Sequence, residues 1–240
     1  MKLALAAALV AFTVHDARAN SGCAGDAGWA AEGAQLAPHP TVVYWTNSIA
    51  RPRRRTAPPT VVVKIDGKPV NSKVTTLDSA PNSFTLVEID SDATGALTVG
   101  WKDAERPAGH YTIKATTYPK VAHATSSRYH SKIPHSTMRE VYDGLALKVD
   151  VPAMRAHVKL RRDAKASWTE LDVPVDDKHE AHIGELGCAS NYQPQLLENG
   201  VDIDVALVLP DGNSIPVDKL THVTIPKLAK PTSDNPWDAE

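Results

Sequence analysis

The stretch "HEAHIGELGCASNYQP", positions 179 to 194, gathers His179, Glu180, His182, Glu185 and Cys188 into ten positions. Imidazole, carboxylate and thiolate all ligate zinc or copper, and a thiol beside an imidazole is also the pairing of a cysteine nucleophile with its base. His179, His182, Glu185 and Cys188 fall three apart, a spacing that aligns side chains on a 3₁₀ or polyproline path and not on a strand. The surrounding "DDKHEAHIGELG" reads as a polar loop, and the His-Glu-x-x-His pattern of helical zinc sites, with histidines four apart, is not met. Three readings follow. One is a zinc or copper site made by His179, His182 and Glu185. Another is a Cys188 nucleophile served by a histidine. The third is a solvated loop whose histidines need no ion, so that no cofactor is required.

Compartment decides among these. Lys2 is followed by an almost unbroken apolar run from Leu3 to Val14 and then by Ala17-Arg18-Ala19, the order of a secretory signal and its cleavage site. The run is too short for a membrane span, so no transmembrane anchor is predicted. Residues 1–19 are read as a signal peptide and the protein as exported, to the periplasm, the cell surface or the medium. Export into an oxidising compartment makes a bridge the expected fate of the two cysteines, Cys23 and Cys188. Closing so long a loop contributes up to about 5 kcal/mol in the chain-entropy account, and it removes the thiolate from both the metal and the nucleophile readings.

The elements that must position these residues are strands. Val61, Val63 and Ile65 alternate with Val62, Lys64 and Asp66, after which Asp66-Gly67 turns the chain. Further strands are predicted over Thr41–Thr46, Lys73–Leu77, Phe84–Ile89 and Ala96–Trp101, and in "AGHYTIKATT", residues 108–117. In the second half, alternation runs through Leu145 to Val151, Val158 to Arg161, and Val201 to Leu209, with Asp211-Gly212 as a turn. "PQLLENG", from Pro194, opens and closes like one or two helical turns. Strands at ten-to-fifteen-residue intervals between Pro, Gly, Asn and Asp suit a sandwich rather than alternating strand and helix.

The Gly109-His110-Tyr111-Thr112-Ile113 segment resembles the Gly-x-Tyr-x-apolar pattern that opens the penultimate strand of bacterial immunoglobulin-like and fibronectin-III-like sandwiches. The resemblance implies a structural Tyr111, its ring under a loop and its hydroxyl bonded to nearby backbone. It covers little of the chain and carries no activity. The expected fold is all-β, two tandem immunoglobulin-like antiparallel β-sandwiches, with one large sandwich as the alternative. The expected order is a segment at 20–40, a sandwich at 41–119, a Ser-, Thr-, His- and Pro-rich linker at 120–140, a second sandwich at 141–226, and a mobile tail at 227–240.

Without residues 1–19 the chain carries 24 basic and 27 acidic residues, a net charge of −3, which is no footprint for nucleic acid. Arg51, Arg53, Arg54 and Arg55 stand apart, four guanidiniums in five positions between two apolar strands. They suit bidentate contact with phosphate or carboxylate, or a charged loop that discourages strand addition. No Gly-x-Ser-x-Gly elbow, Walker loop, dinucleotide fingerprint or Ser-x-x-Lys is present. The expectation is a non-catalytic exported interaction module whose partner is a protein or an anionic envelope polymer. The alternative is an exported metal-binding protein using the 179–188 segment.

Overall fold

The computed structural model describes residues 27–47, 60–102, 106–132, 141–187 and 189–228. Its first half has nine strands: β1 (Ala27–Trp29), β2 (Gln35–Leu36), β3 (Thr41–Asn47), β4 (Val61–Ile65), β5 (Lys68–Pro69), β6 (Ser72–Ser79), β7 (Asn82–Ile89), β8 (Gly95–Trp101) and β9 (Gly109–Ile113). They form two sheets, β1-β3-β7-β6 and β2-β9-β8-β4-β5, antiparallel except where β2 runs beside β9. Setting strands A, B, E and D in one sheet and C, F and G in the other is the immunoglobulin arrangement. Asp66 and Gly67 both take positive φ in the turn joining β4 to β5, as the Asp-Gly pair predicts.

The second half has β10 (Ala124–Lys132), β11 (Val141–Val149), β12 (Arg155–Arg161), β13 (Thr169–Pro174), β14 (Glu180–Gly187), β15 (Ala189–Ser190), one helix α1 (Pro194–Glu198), β16 (Val201–Val208), β17 (Ser214–Pro216) and β18 (His222–Val223). Its sheets are β10-β11-β14-β15 and β13-β12-β16-β17, with β18 on β16. Each half encloses its own apolar core, one around Leu145, Leu160, Ile183 and Leu207, the other around Leu36, Phe84, Leu97 and Ile113. The chain is thus two tandem immunoglobulin-like sandwiches.

Of four differences from the sequence expectation, three share a physical cause. Residues 27–36 of the N-terminal segment belong to the first sandwich, because β1 pairs with β3 and β2 with β9. Tyr111 lies in the last strand of its sandwich, not the penultimate one, and its hydroxyl donates to Ala30 O at 2.8 Å, 81 positions away. Residues 124–132 of the supposed linker pair with the whole length of β11. The supposed polar loop over 180–187 is β14, paired with β11 from Glu180 to Gly187. At 27–36, 124–132 and 180–187 polar or short segments complete a sheet whose apolar half is supplied by neighbours, so their own hydropathy does not announce them.

The two sandwiches are fastened to each other. In β3 and β7, Tyr44 faces inward toward Trp101, with ring centroids 5.1 Å apart, so Val43 and Phe84 belong to the opposite face by strand alternation. Both are nonetheless buried, at 2% and 1% exposure, and Met154 of the β11–β12 loop joins their cluster at 1%. Backbone donors complete the seam. Ala31 N–H reaches Val175 O at 3.0 Å and Thr41 N–H reaches Pro210 O. The Asn82 amide donates to Asp172 O at 2.9 Å.

Met154 therefore acts as the apolar plug of the junction. Met154→Ala should lower stability by about 2–5 kcal/mol, read as a lower denaturant midpoint. An unchanged midpoint would show that the junction is not packed through this side chain.

Candidate functional site

The 179–188 region is organised by a hairpin. After β13, Val175 bridges to Ala181, Asp176 N–H donates to Glu180 O at 3.0 Å, and His179 N–H donates to Asp176 O at 3.1 Å. This closes a tight turn at residues 176–179. Asp176 tightens it further, since one carboxylate oxygen accepts the N–H groups of Lys178 at 2.9 Å and Glu180 at 2.8 Å. His179 takes the left-handed conformation at φ 61°, the position that glycine usually fills in such a turn.

From Glu180 onward the period is two, not three. Ala181 and Ile183 enter the core at 0% exposure, while Glu180 and His182 share the outer face. On that face the His182 Nε2 and Glu180 Oε2 atoms lie 3.4 Å apart, and Lys148 Nζ is 3.9 Å from the other Glu180 oxygen. Asp176, Glu180 and His182 offer ligand atoms all within 4.8 Å of one another, the only such group of three among the described residues.

His182 is braced from several sides. Its ring stacks on Tyr129 of β10, centroids 4.7 Å apart and planes at 31°. Its carbonyl accepts from the Asn191 amide at 3.2 Å, and the same amide's oxygen accepts Gly184 N–H at 2.7 Å. Tyr129 pairs in register with Gly144, which pairs with Gly184. Both glycines have φ of +146° or more, and a methyl added at Gly184 would sit 2.2 Å from Asp143 O. The paired glycines let two backbones approach closely beside the ring. Burial pushes the Tyr129 phenol well above the usual tyrosine range, and its hydroxyl donates to Glu185 O at 3.2 Å.

The proposed ligand set is therefore rearranged. Of His179, His182 and Glu185, only His182 lies in the cluster. His179 is spent on the turn, and Glu185 opposes Asp143 on the other parity of the sheet. Asp176 and Glu180 are the members that spacing by three passes over. Their signal was present in the sequence as an Asp before a turn, followed by polar Glu180 and His182 alternating with apolar Ala181 and Ile183. Cys188, Cys23 and the arginines at 51, 53, 54 and 55 lie outside the described residues, as does His135.

Other clusters are held differently. His130 Nδ1 is 3.5 Å from Asp143 in a buried network described below, and His123 donates its backbone N–H to Asp150. In the first sandwich His39 sits between Asp90 at 3.3 Å and Asp92 at 2.8 Å, on the rim of an open groove of about 570 Å³. Its bond to Asp92 holds the His39 proton to higher pH than usual. The two aspartates address opposite ring nitrogens, so they share a proton-bearing ring rather than one ion.

No family description matches the sequence, and no curated protein matches it. Among solved structures, the chain is similar to a pullulanase from Anoxybacillus sp. LM18-11 at 9% identity, over 85% of this chain and 29% of that one, with a TM-score of 0.27. It is similar to the N-terminal Ig1-2 module of the Drosophila receptor protein tyrosine phosphatase DLAR at 9% identity, over 80% and 97%, with a TM-score of 0.25. It is also similar to a tetra-tandem repeat from the extending region of a large adhesion protein at 15% identity, over 77% and 47%, with a TM-score of 0.25. The chain spans less than a third of the pullulanase. Likenesses of this size carry no activity over to it.

The turn and the paired glycines yield opposite expectations. His179→Gly relieves a left-handed residue and should stabilise the protein by about 0.5–1 kcal/mol. Gly184→Ala should destabilise it by at least about 2 kcal/mol. Equilibrium unfolding of the two variants reads both signs, and a His179→Gly variant less stable than the parent would refute the role assigned to the turn.

Proposed function

We propose that the chain is an exported, non-catalytic interaction module that docks an anionic polymer through the rim of its first sandwich. The observation that supports this reading is a local excess of basic residues in the sequence next to two described rim residues, Lys102 and Arg106. Lys102 N–H donates to Thr60 O at 3.0 Å, which sets the β8–β9 connection beside the residue that follows the arginine-rich 48–59 segment. Arg106 lies over the rings of Trp101, at 4.8 Å, and Tyr44, at 5.5 Å. By sequence alone, positions 48–60 and 102–106 hold Arg51, Arg53, Arg54, Arg55, Lys102 and Arg106 with Asp103 and Glu105, six positive charges and two negative ones in a chain whose net charge is −2. Guanidiniums are weakly hydrated forks suited to phosphate and carboxylate, and a local excess of this size steers polyanions.

Export through cleavage after Ala19 and a Cys23–Cys188 bridge belong to the same reading. No helix among the described residues is long and apolar enough to cross a membrane. The seam between the sandwiches supports a role in presentation, because it fixes the two modules relative to each other instead of leaving them hinged.

The test is binding of mature protein to an anionic cell-wall polymer and to polyphosphate, measured against salt. The expected result is affinity that falls with ionic strength and at least about tenfold weaker binding when Arg53, Arg54 and Arg55 are all replaced by Ala. Equal binding by parent and triple variant would refute the rim as the contact. Independently, non-reducing mass spectrometry of mature protein should show a mass two hydrogen atoms below the dithiol form, and two titratable thiols would disprove the bridge.

A further inference from the structure

We propose that Asp176, Glu180 and His182 form a site for one divalent transition cation, with zinc the best match, on the outer face of the second sandwich. The donors are one imidazole and two carboxylates, a set that suits zinc or copper and falls short of the six or more oxygens that calcium and magnesium take. Three protein donors leave a fourth position for water or a ligand from outside.

One distance fits two ligands of a shared ion better than an ideal charge-assisted pair. A charge-assisted imidazole–carboxylate bond runs at about 2.7–2.9 Å, whereas His182 Nε2 and Glu180 Oε2 stand 3.4 Å apart. Two ligands on one tetrahedral zinc, each bonded at about 2.1 Å, are separated by about 3.4 Å. Asp176 has one oxygen fixed by two backbone N–H groups, which leaves the other to bind and supplies the hydrogen-bonded carboxylate usual at metal sites. The imidazole is held by the Tyr129 stack and its backbone by Asn191. Lys148, the competing partner of Glu180, is 63% exposed and 3.9 Å away, so it is free to swing into solvent when a cation arrives.

The experiment uses tag-free mature protein stripped with chelator, titrated with cobalt(II) by visible absorbance and then with zinc in competition. One equivalent should bind, with d–d bands of a four- or five-coordinate site and no sulfur-to-metal charge-transfer band. His182→Gln, Asp176→Asn and Glu180→Gln should each weaken binding by about tenfold or more, with circular dichroism confirming that each is folded. Lys148→Met should tighten it several-fold by removing a repelling charge, and His179→Gly should bind like the parent. The proposal is overturned by the absence of saturable binding in the micromolar range, by a His182→Gln variant that binds like the parent, or by a sulfur band that puts a cysteine in the site.

Discussion

The second sandwich depends on one buried ion pair. Arg128 of the edge strand β10 grips Asp143 of β11 with two bonds, Nε to Oδ1 at 2.8 Å and Nη2 to Oδ2 at 2.7 Å. Their side chains are 9% and 10% exposed. The remaining guanidinium nitrogen donates to Glu198 at 2.6 Å and to the Pro226 carbonyl, so one side chain joins β10, β11, α1 and the segment after β18. Taking such charges out of water is expensive, and the pair's net contribution is small beside the cost of leaving either member alone, about 3–5 kcal/mol. What the pair supplies is uniqueness. Slipping β10 by one residue would turn Arg128 out to solvent, strand Asp143 in the core and move Tyr129 off His182.

A similar logic sets the register of the other sheet without burial. Along β12 the outward positions are Arg155, His157, Lys159 and Arg161, and acidic residues flank them on both neighbouring strands. Lys159 meets Glu170 at 3.2 Å, and Arg161 meets Asp202 at 3.0 Å. Each exposed pair is worth little by itself. Their value is that a one-residue shift would break every one of them and bury the charges, while the inward set Ala156, Val158 and Leu160 would face water. This face is already neutralised by its own neighbours.

What the sequence disclosed and what it hid follow from the same rule. Strands with one clean apolar parity, such as Val201 to Val208 and Val61 to Ile65, were legible because alternation with polar residues is the signature of a half-buried strand. β10 was illegible because its inward positions at 128 and 130 are polar, arginine and histidine, and Arg128 is satisfied by Asp143 of the neighbouring strand, Glu198 of the helix and the Pro226 carbonyl. Inward charge on an edge strand also discourages pairing with another chain, so the feature that hides the strand has its own use. The candidate cluster was half legible. His182 was named as a candidate ligand, but its companions were sought at a spacing of three. Only the strand geometry of β14 puts Glu180 beside it, and only a bridge from Val175 to Ala181 brings Asp176 alongside.

The hairpin from Val175 to Ala181 is where the site and the domain seam meet. Val175 offers its carbonyl to Ala31 of the first sandwich, while the next residue, Asp176, closes the turn and carries a candidate ligand oxygen. Ala31 in turn follows Ala30, whose carbonyl takes the Tyr111 hydroxyl, so the chain of bonds runs from the first core through the seam to the outer face of the second. Such a hairpin has little slack. Its turn is pinned by two backbone bonds, its far strand by the glycine pair under Tyr129, and its near strand by the neighbouring sandwich. A ligand set built on these atoms is therefore preorganised by contacts that the fold needs anyway. That is the condition under which three surface side chains act as a site instead of three independently solvated groups.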